Sequence, residues 1–162
     1  GGYGLMRFSS MLIFLLMFIA TAGIIATTML CTRQTDLKSL IAMSSVSHMN
    51  LIIAATLIQT KWSYNGAMYM MIAHGLTSSA LFCLANTIYE RTNSRTMMLL
   101  RGTMIILPMA GIWWLMMLLF NMALPPTMNF HAELMIMVSI YNWSTLTFLL
   151  VAVNLVFTAA YT

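Results

Sequence analysis

The sequence predicts an all-α integral membrane protein with about five transmembrane helices, one of them discontinuous. Three observations carry that prediction. The 162 residues are 61% hydrophobic and only 6% charged, against roughly 25% charged in soluble domains, and the mean hydropathy is +0.90. Arg7, Arg33, Asp36, Lys38, Lys61, Glu90, Arg91, Arg95 and Arg101 all fall between apolar runs, and Glu133 alone among the formal charges falls within one. The runs lack the strict alternation of a closed barrel, so helices are left as the structure that satisfies every backbone group in lipid.

A helical crossing needs about 20 apolar residues for about 30 Å of hydrocarbon. The first run, "MLIFLLMFIATAGIIATTML", covers 11–30, and residues 1–10 before it read as a helix tail or loop. The second, 39–58, contains His48, and the third, 66–88, contains His74. Asp36 stands where it caps the second. The fourth run, 103–139, is too long for one ordinary crossing and too short for two with a turn. In its middle "NMALPPTMNFHAEL" places Pro125 and Pro126, which lack a backbone N–H and break a helix. A discontinuous helix is therefore expected, its second half beginning near Thr127, with Pro108 harmless in the first turn of the first half. Such breaks survive in membranes only where protein or a water-filled path covers the freed carbonyls, and in transporters they mark ion sites. A fifth span covers 145–162. All of 1–162 forms a single transmembrane region, and the opening "GGYG" without methionine and the stop within an apolar run read as a piece of a longer chain.

The remaining composition excludes several functions. The net charge of +4 comes from scattered basic residues rather than a patch, so no nucleic acid is expected. Cys31 and Cys83 offer neither a disulfide framework nor metal spacing and read as two small buried hydrophobes. Nineteen methionines in almost every segment are spread around all faces rather than gathered into one methionine-rich binding surface, and biased codon usage in an organelle genome is the plainer account. There is no phosphate loop, nucleophile elbow or ligand set for haem or an iron–sulfur cluster, and nothing to bind NADH. Arg33, Lys38, Arg91, Arg95 and Arg101 fall on one side of the predicted helices and Arg7 and Lys61 on the other, which assigns the first side to the matrix or cytoplasm. In "YERTNSRTMMLLRG" the arginines serve as interfacial anchors.

The polar residues inside the runs carry the functional signal. His48 shares a helix face with Ser44 and Ser45, and His74 with Thr77 and Ser78, by i,i+3 and i,i+4 spacing. Gly75 is expected to let a neighbouring helix approach closely. If the two faces meet, they form a row able to pass protons, because imidazole titrates near neutral pH. The plainer reading is interhelical hydrogen bonding. A carboxylate within a span faces the bundle interior and is functional by default, so Glu133 joins His48 and His74 as a proton-pathway candidate. His131 points away from Glu133 and is given a structural role.

"GGYGLMR", "RQTDLKSLIAMSSVSHM", "MIAHGLTSSALFCLAN", "YERTNSR" and "ALPPTMNFHAEL" occur in order over nearly the whole chain. Together they resemble the antiporter-like, proton-pumping subunits of mitochondrial complex I (NADH:ubiquinone oxidoreductase), and among these the chain 4 family. The resemblance implies a fourteen-helix fold of two inverted half-channel repeats, of which this stretch runs from the end of the eighth helix through most of the thirteenth. It implies the inner mitochondrial membrane as location and other membrane-arm subunits and the lipid bilayer as partners. Proton translocation would be coupled to electron transfer from NADH to ubiquinone, with NADH, FMN, iron–sulfur clusters and ubiquinone bound elsewhere in the complex and no redox centre here. The family's channel histidines fall on His48 and His74, and its glutamate on the broken helix falls on Glu133. Its central lysine lies upstream of Gly1. Met43 replaces a usual tyrosine, and Ala132 a usual glycine. A cation/proton antiporter subunit of the related multisubunit type is the alternative.

Overall fold

The computed structural model describes residues 2–8 and 13–161. Of the expected spans, residues 11 and 12 of the first and 162 of the fifth lie outside them. The described residues form eight helices: α1 (Gly2–Phe8), α2 (Ile13–Cys31), α3 (Leu37–Ile58), α4 (Lys61–Thr92), α5 (Thr103–Ile106), α6 (Pro108–Asn121), α7 (Met128–Trp143) and α8 (Thr145–Tyr161). Among these residues there is no strand, only an isolated bridge between Asp36 and Thr96.

Helix ends follow local chemistry where the apolar count alone misjudges them. The third expected span grows from 66–88 to Lys61–Thr92 because Thr60 and Ser63 form a reciprocal capping box and Asn93 closes the far end in the left-handed conformation. Polar ends such as "KWSYN" and "YERT" are thus helical although they fail a hydropathy window. Asp36 occupies the N-cap position of α3 with extended backbone, but its side chain makes no capping bond. The loop after α4 is instead tied to that end by Leu37 N–H donating to the Arg95 carbonyl (3.2 Å) and Met97 N–H donating to Thr35 (3.0 Å). Arg95 lies over the Tyr89 ring, 4.7 Å from its centroid, a cation–π contact.

Helices α2, α3, α4, α7 and α8 close a ring in which each packs on the next, and α3 touches α7 across the middle. The core inside it joins Ile24, Leu51, Ile52, Ala55, Ala67, Met70, Ala132, Ile136, Ile140 and Val151. Small residues allow close helix contact, as where Gly66 of α4 meets α7. A Cβ on Gly66 would stand 3.0 Å from Ile136 and Met135 and 3.3 Å from the Ala132 carbonyl. Gly75 faces open space and is exposed, so the expectation of close packing there is corrected. Cys31 is buried, but Cys83 is exposed on the outer side of α4, where lipid tolerates a small apolar thiol; only one of the two is a core residue.

Only α3 and α4, among the described helices, are both long and apolar enough by themselves to cross a membrane. The fourteen residues of α6 reach about 21 Å at 1.5 Å per residue, short of the hydrocarbon thickness. Yet α6 lies beside α4 between Ile88 and Ala73, and α7 meets α4 farther along at Gly66, so together they trace one interrupted path. The interruption covers 122–127. It contains Ala123 at φ 55°, then Pro125 and Pro126, then Thr127, whose hydroxyl caps α7 by accepting from Phe130 N–H at 3.3 Å. The short α5 and Pro108 at the first turn of α6 divide the first half once more, a break that the apolar pattern does not reveal.

Candidate functional site

The three ionisable residues singled out from the sequence lie on three different helices that meet at the centre of the ring. His48 on α3, His74 on α4 and Glu133 on α7 are 5%, 3% and 7% exposed. The two imidazole rings stand 5.0 Å apart between centroids and tilt by 38°. His48 Nδ1 lies 3.9 Å from Glu133 Oε1, beyond a direct hydrogen bond but within what a small side-chain rotation closes. The row therefore runs His74, His48, Glu133. The close packing around Gly66 fixes α7 against α4 just one turn from Glu133.

The expected hydroxyl neighbours behave differently from the expectation. Ser44 and Ser45 both donate to the Ile41 carbonyl (2.8 and 3.1 Å). Thr77 donates to the His74 carbonyl (3.3 Å) and Ser78 to Gly75 (3.4 Å). Each hydroxyl thus spends its proton on its own helix, as serine and threonine do when no other acceptor is near. What remains for the imidazoles is acceptor lone pairs, and His74 Nδ1 is buried without a hydrogen-bond partner. Ser44 is buried, while Ser45, Thr77 and Ser78 are only half-buried.

Pro125 and Pro126 are exposed at the break. His131 is exposed on α7, with its ring edge-on to Tyr69 at 5.8 Å, away from the row. Four polar residues escaped notice as site candidates. Ser47 is buried beside His48. Tyr161 brings a buried hydroxyl near Ser47 and Cys31. Asn129 and Asn154 are buried, each with an unpartnered side-chain oxygen. Neutral amides and hydroxyls raise no alarm in an apolar run as a charge does. Only Asn129 left a usable sign, its place four residues before Glu133 and just past the proline pair.

A family model described as "NADH:quinone oxidoreductase/Mrp antiporter, TM" matches residues 1–158, nearly the whole chain. The chain belongs to the NADH:quinone oxidoreductase/Mrp antiporter family. Within that family it is 54% identical to NADH-ubiquinone oxidoreductase chain 4 of Struthio camelus over 100% of this chain and 37% of that protein. It is 55% identical to chain 4 of Polypterus ornatipinnis over 99% of this chain and 37% of the relative. Chain 4 of Ovophis okinavensis is 52% identical, over 99% of this chain and 73% of that sequence. The chain thus spans a little over a third of the length of the first two relatives. The buried row, the break and the α4–α7 contact all fall inside the part matched by the NADH:quinone oxidoreductase/Mrp antiporter family.

Proposed function

We propose that this chain is a multi-pass part of the membrane arm of respiratory complex I in the inner mitochondrial membrane, crossing it about five times and carrying protons across it. The work would come from electron transfer from NADH to ubiquinone through FMN and iron–sulfur clusters in other subunits. The observation that carries the reading is the contiguous buried row of two imidazoles and a carboxyl beside an interrupted helix. Magnitudes favour transport over helix adhesion. An interhelical hydrogen bond contributes about 0.6 kcal/mol on average, whereas an ionised side chain at mid-bilayer costs about 3 kcal/mol on insertion scales. A site kept for adhesion alone has no need of the carboxyl.

The relay follows from the order of the row. A proton reaching His74 passes to His48, because an imidazole takes a proton at one nitrogen and releases one from the other. Glu133 receives it across the short gap and releases it through the break. A carboxyl next to an imidazole can share one proton with it, so the pair stays neutral overall and avoids an isolated charge in the interior. Chain 4 as the name of the relatives favours this reading over the cation/proton antiporter of the same family.

The test uses the full-length subunit assembled in its complex. Glu133→Gln keeps the size and the hydrogen bonding but cannot release a proton. Protons pumped per NADH oxidised are expected to fall while assembly stays normal. Unchanged pumping would sink the proposal, and loss of cation exchange without loss of NADH-driven pumping would favour the antiporter.

A further inference from the structure

Asn129 is 1% exposed and stands in the first turn of α7. Its Nδ2 donates to the carbonyl of Phe120, near the end of α6, at 3.0 Å. That bond crosses the break, and because a carbonyl can only accept, it fixes which side-chain atom is the nitrogen. The Oδ1 is then buried with no partner, an arrangement that costs stability unless something donates to it. Glu133 follows at i+4, on the same face of α7, and helical side chains lean toward the N-terminus, so the Glu133 carboxyl leans toward the turn that holds Asn129. Asn129 itself, with Thr77 of α4 and Thr127, lines a cavity of about 530 Å³ between α4, α6 and the start of α7.

We propose that Asn129 is a positioning residue for Glu133: its amide nitrogen pins the break and its oxygen accepts from the protonated carboxyl, directly or through one water. This rests on the reading of Glu133 as a proton-carrying group. In that role Asn129 stabilises the proton-loaded state of Glu133 and couples loading to the geometry of the break. The other titratable groups on the helices packed around Glu133 are His48 from α3, His74 from α4, next in the row, and Tyr161 from α8.

The experiment compares Asn129→Leu, which matches the volume without either hydrogen bond, with the parent subunit in the assembled complex. The readout is the pH profile of pumping-coupled turnover. Loss of the acceptor is expected to move the profile to lower pH by roughly half a unit to one unit, the worth of one net hydrogen bond. A purely structural pin would lower turnover equally at every pH, and an unshifted profile with normal assembly overturns the proposal. If Asn129→Leu does not assemble, Asn129→Ser, whose hydroxyl is too short for both partners, decides by the same criterion. Glu133→Gln in parallel separates the two failures. If that variant pumps normally, the underlying reading fails; if it does not, while Asn129→Leu leaves the profile in place, only the role of Asn129 falls.

Discussion

At the scale of single residues, two glycines on one helix separate packing from permissiveness. Gly66 has Ile136, Met135 and the Ala132 carbonyl within 3.0 to 3.3 Å of a would-be Cβ. One of those neighbours is backbone, so Gly66→Ala requires α7, which carries Glu133, to give by a few tenths of an ångström. Overpacking of this kind costs about 1–3 kcal/mol. Gly75→Ala meets nothing and gains up to about 1 kcal/mol of helix propensity. Thermal midpoints of the detergent-solubilised full-length protein are expected to drop for the first and to hold or rise for the second; equal midpoints would mean that α4 and α7 do not pack as described. The ionisable site was legible at this scale, since a charge or imidazole in an apolar run stands out. The donors and acceptors around it were not, because a hydroxyl in a helix chooses between its own carbonyl and a neighbour only once the neighbours are in place.

At the scale of elements, the break between α6 and α7 is held by three devices. Proline at 125 and 126 withholds two donors, Thr127 caps the second half, and Ala123 turns the chain in the left-handed region, which costs an L-residue roughly 1–2 kcal/mol. Ala123→Gly removes that strain and is expected to leave the break intact and raise the thermal midpoint. Thr127→Ala removes the cap and costs about 1 kcal/mol. A fall with Ala123→Gly as large as that with Thr127→Ala would show that Ala123 carries no left-handed strain to relieve. Proline made the interruption readable in sequence. The shorter division between α5 and α6 was not, since Pro108 at a first helical turn is compatible with an unbroken helix.

At the scale of the whole molecule, most outward faces are apolar: Phe18, Ile72, Leu76, Leu146 and Val156 are all more than half exposed. In water such a surface aggregates, whereas lipid or neighbouring membrane helices cover it without cost. Lys38 and Lys61 bracket α3 at its two ends and are both exposed, so a chain crossing once between them shows them to opposite compartments. A membrane-impermeant amine reagent is expected to label Lys38 and Lys61 from opposite faces of sealed membrane vesicles, Lys38 from the side that carries the basic loops. Labelling of both from one side would overturn the orientation drawn from the basic loops.

The sequence by itself determined the solvent of this protein, its helical class and the identity of the three ionisable groups that form the buried row. Those follow from composition and from the cost of charge in hydrocarbon, which act residue by residue. The tertiary structure decided that α3, α4 and α7 bring those groups to one point, that Gly66 rather than Gly75 packs against a neighbouring helix, and that Asn129 spans the break. Such facts depend on which faces of distant helices meet, and helical periodicity constrains a face without naming its partner.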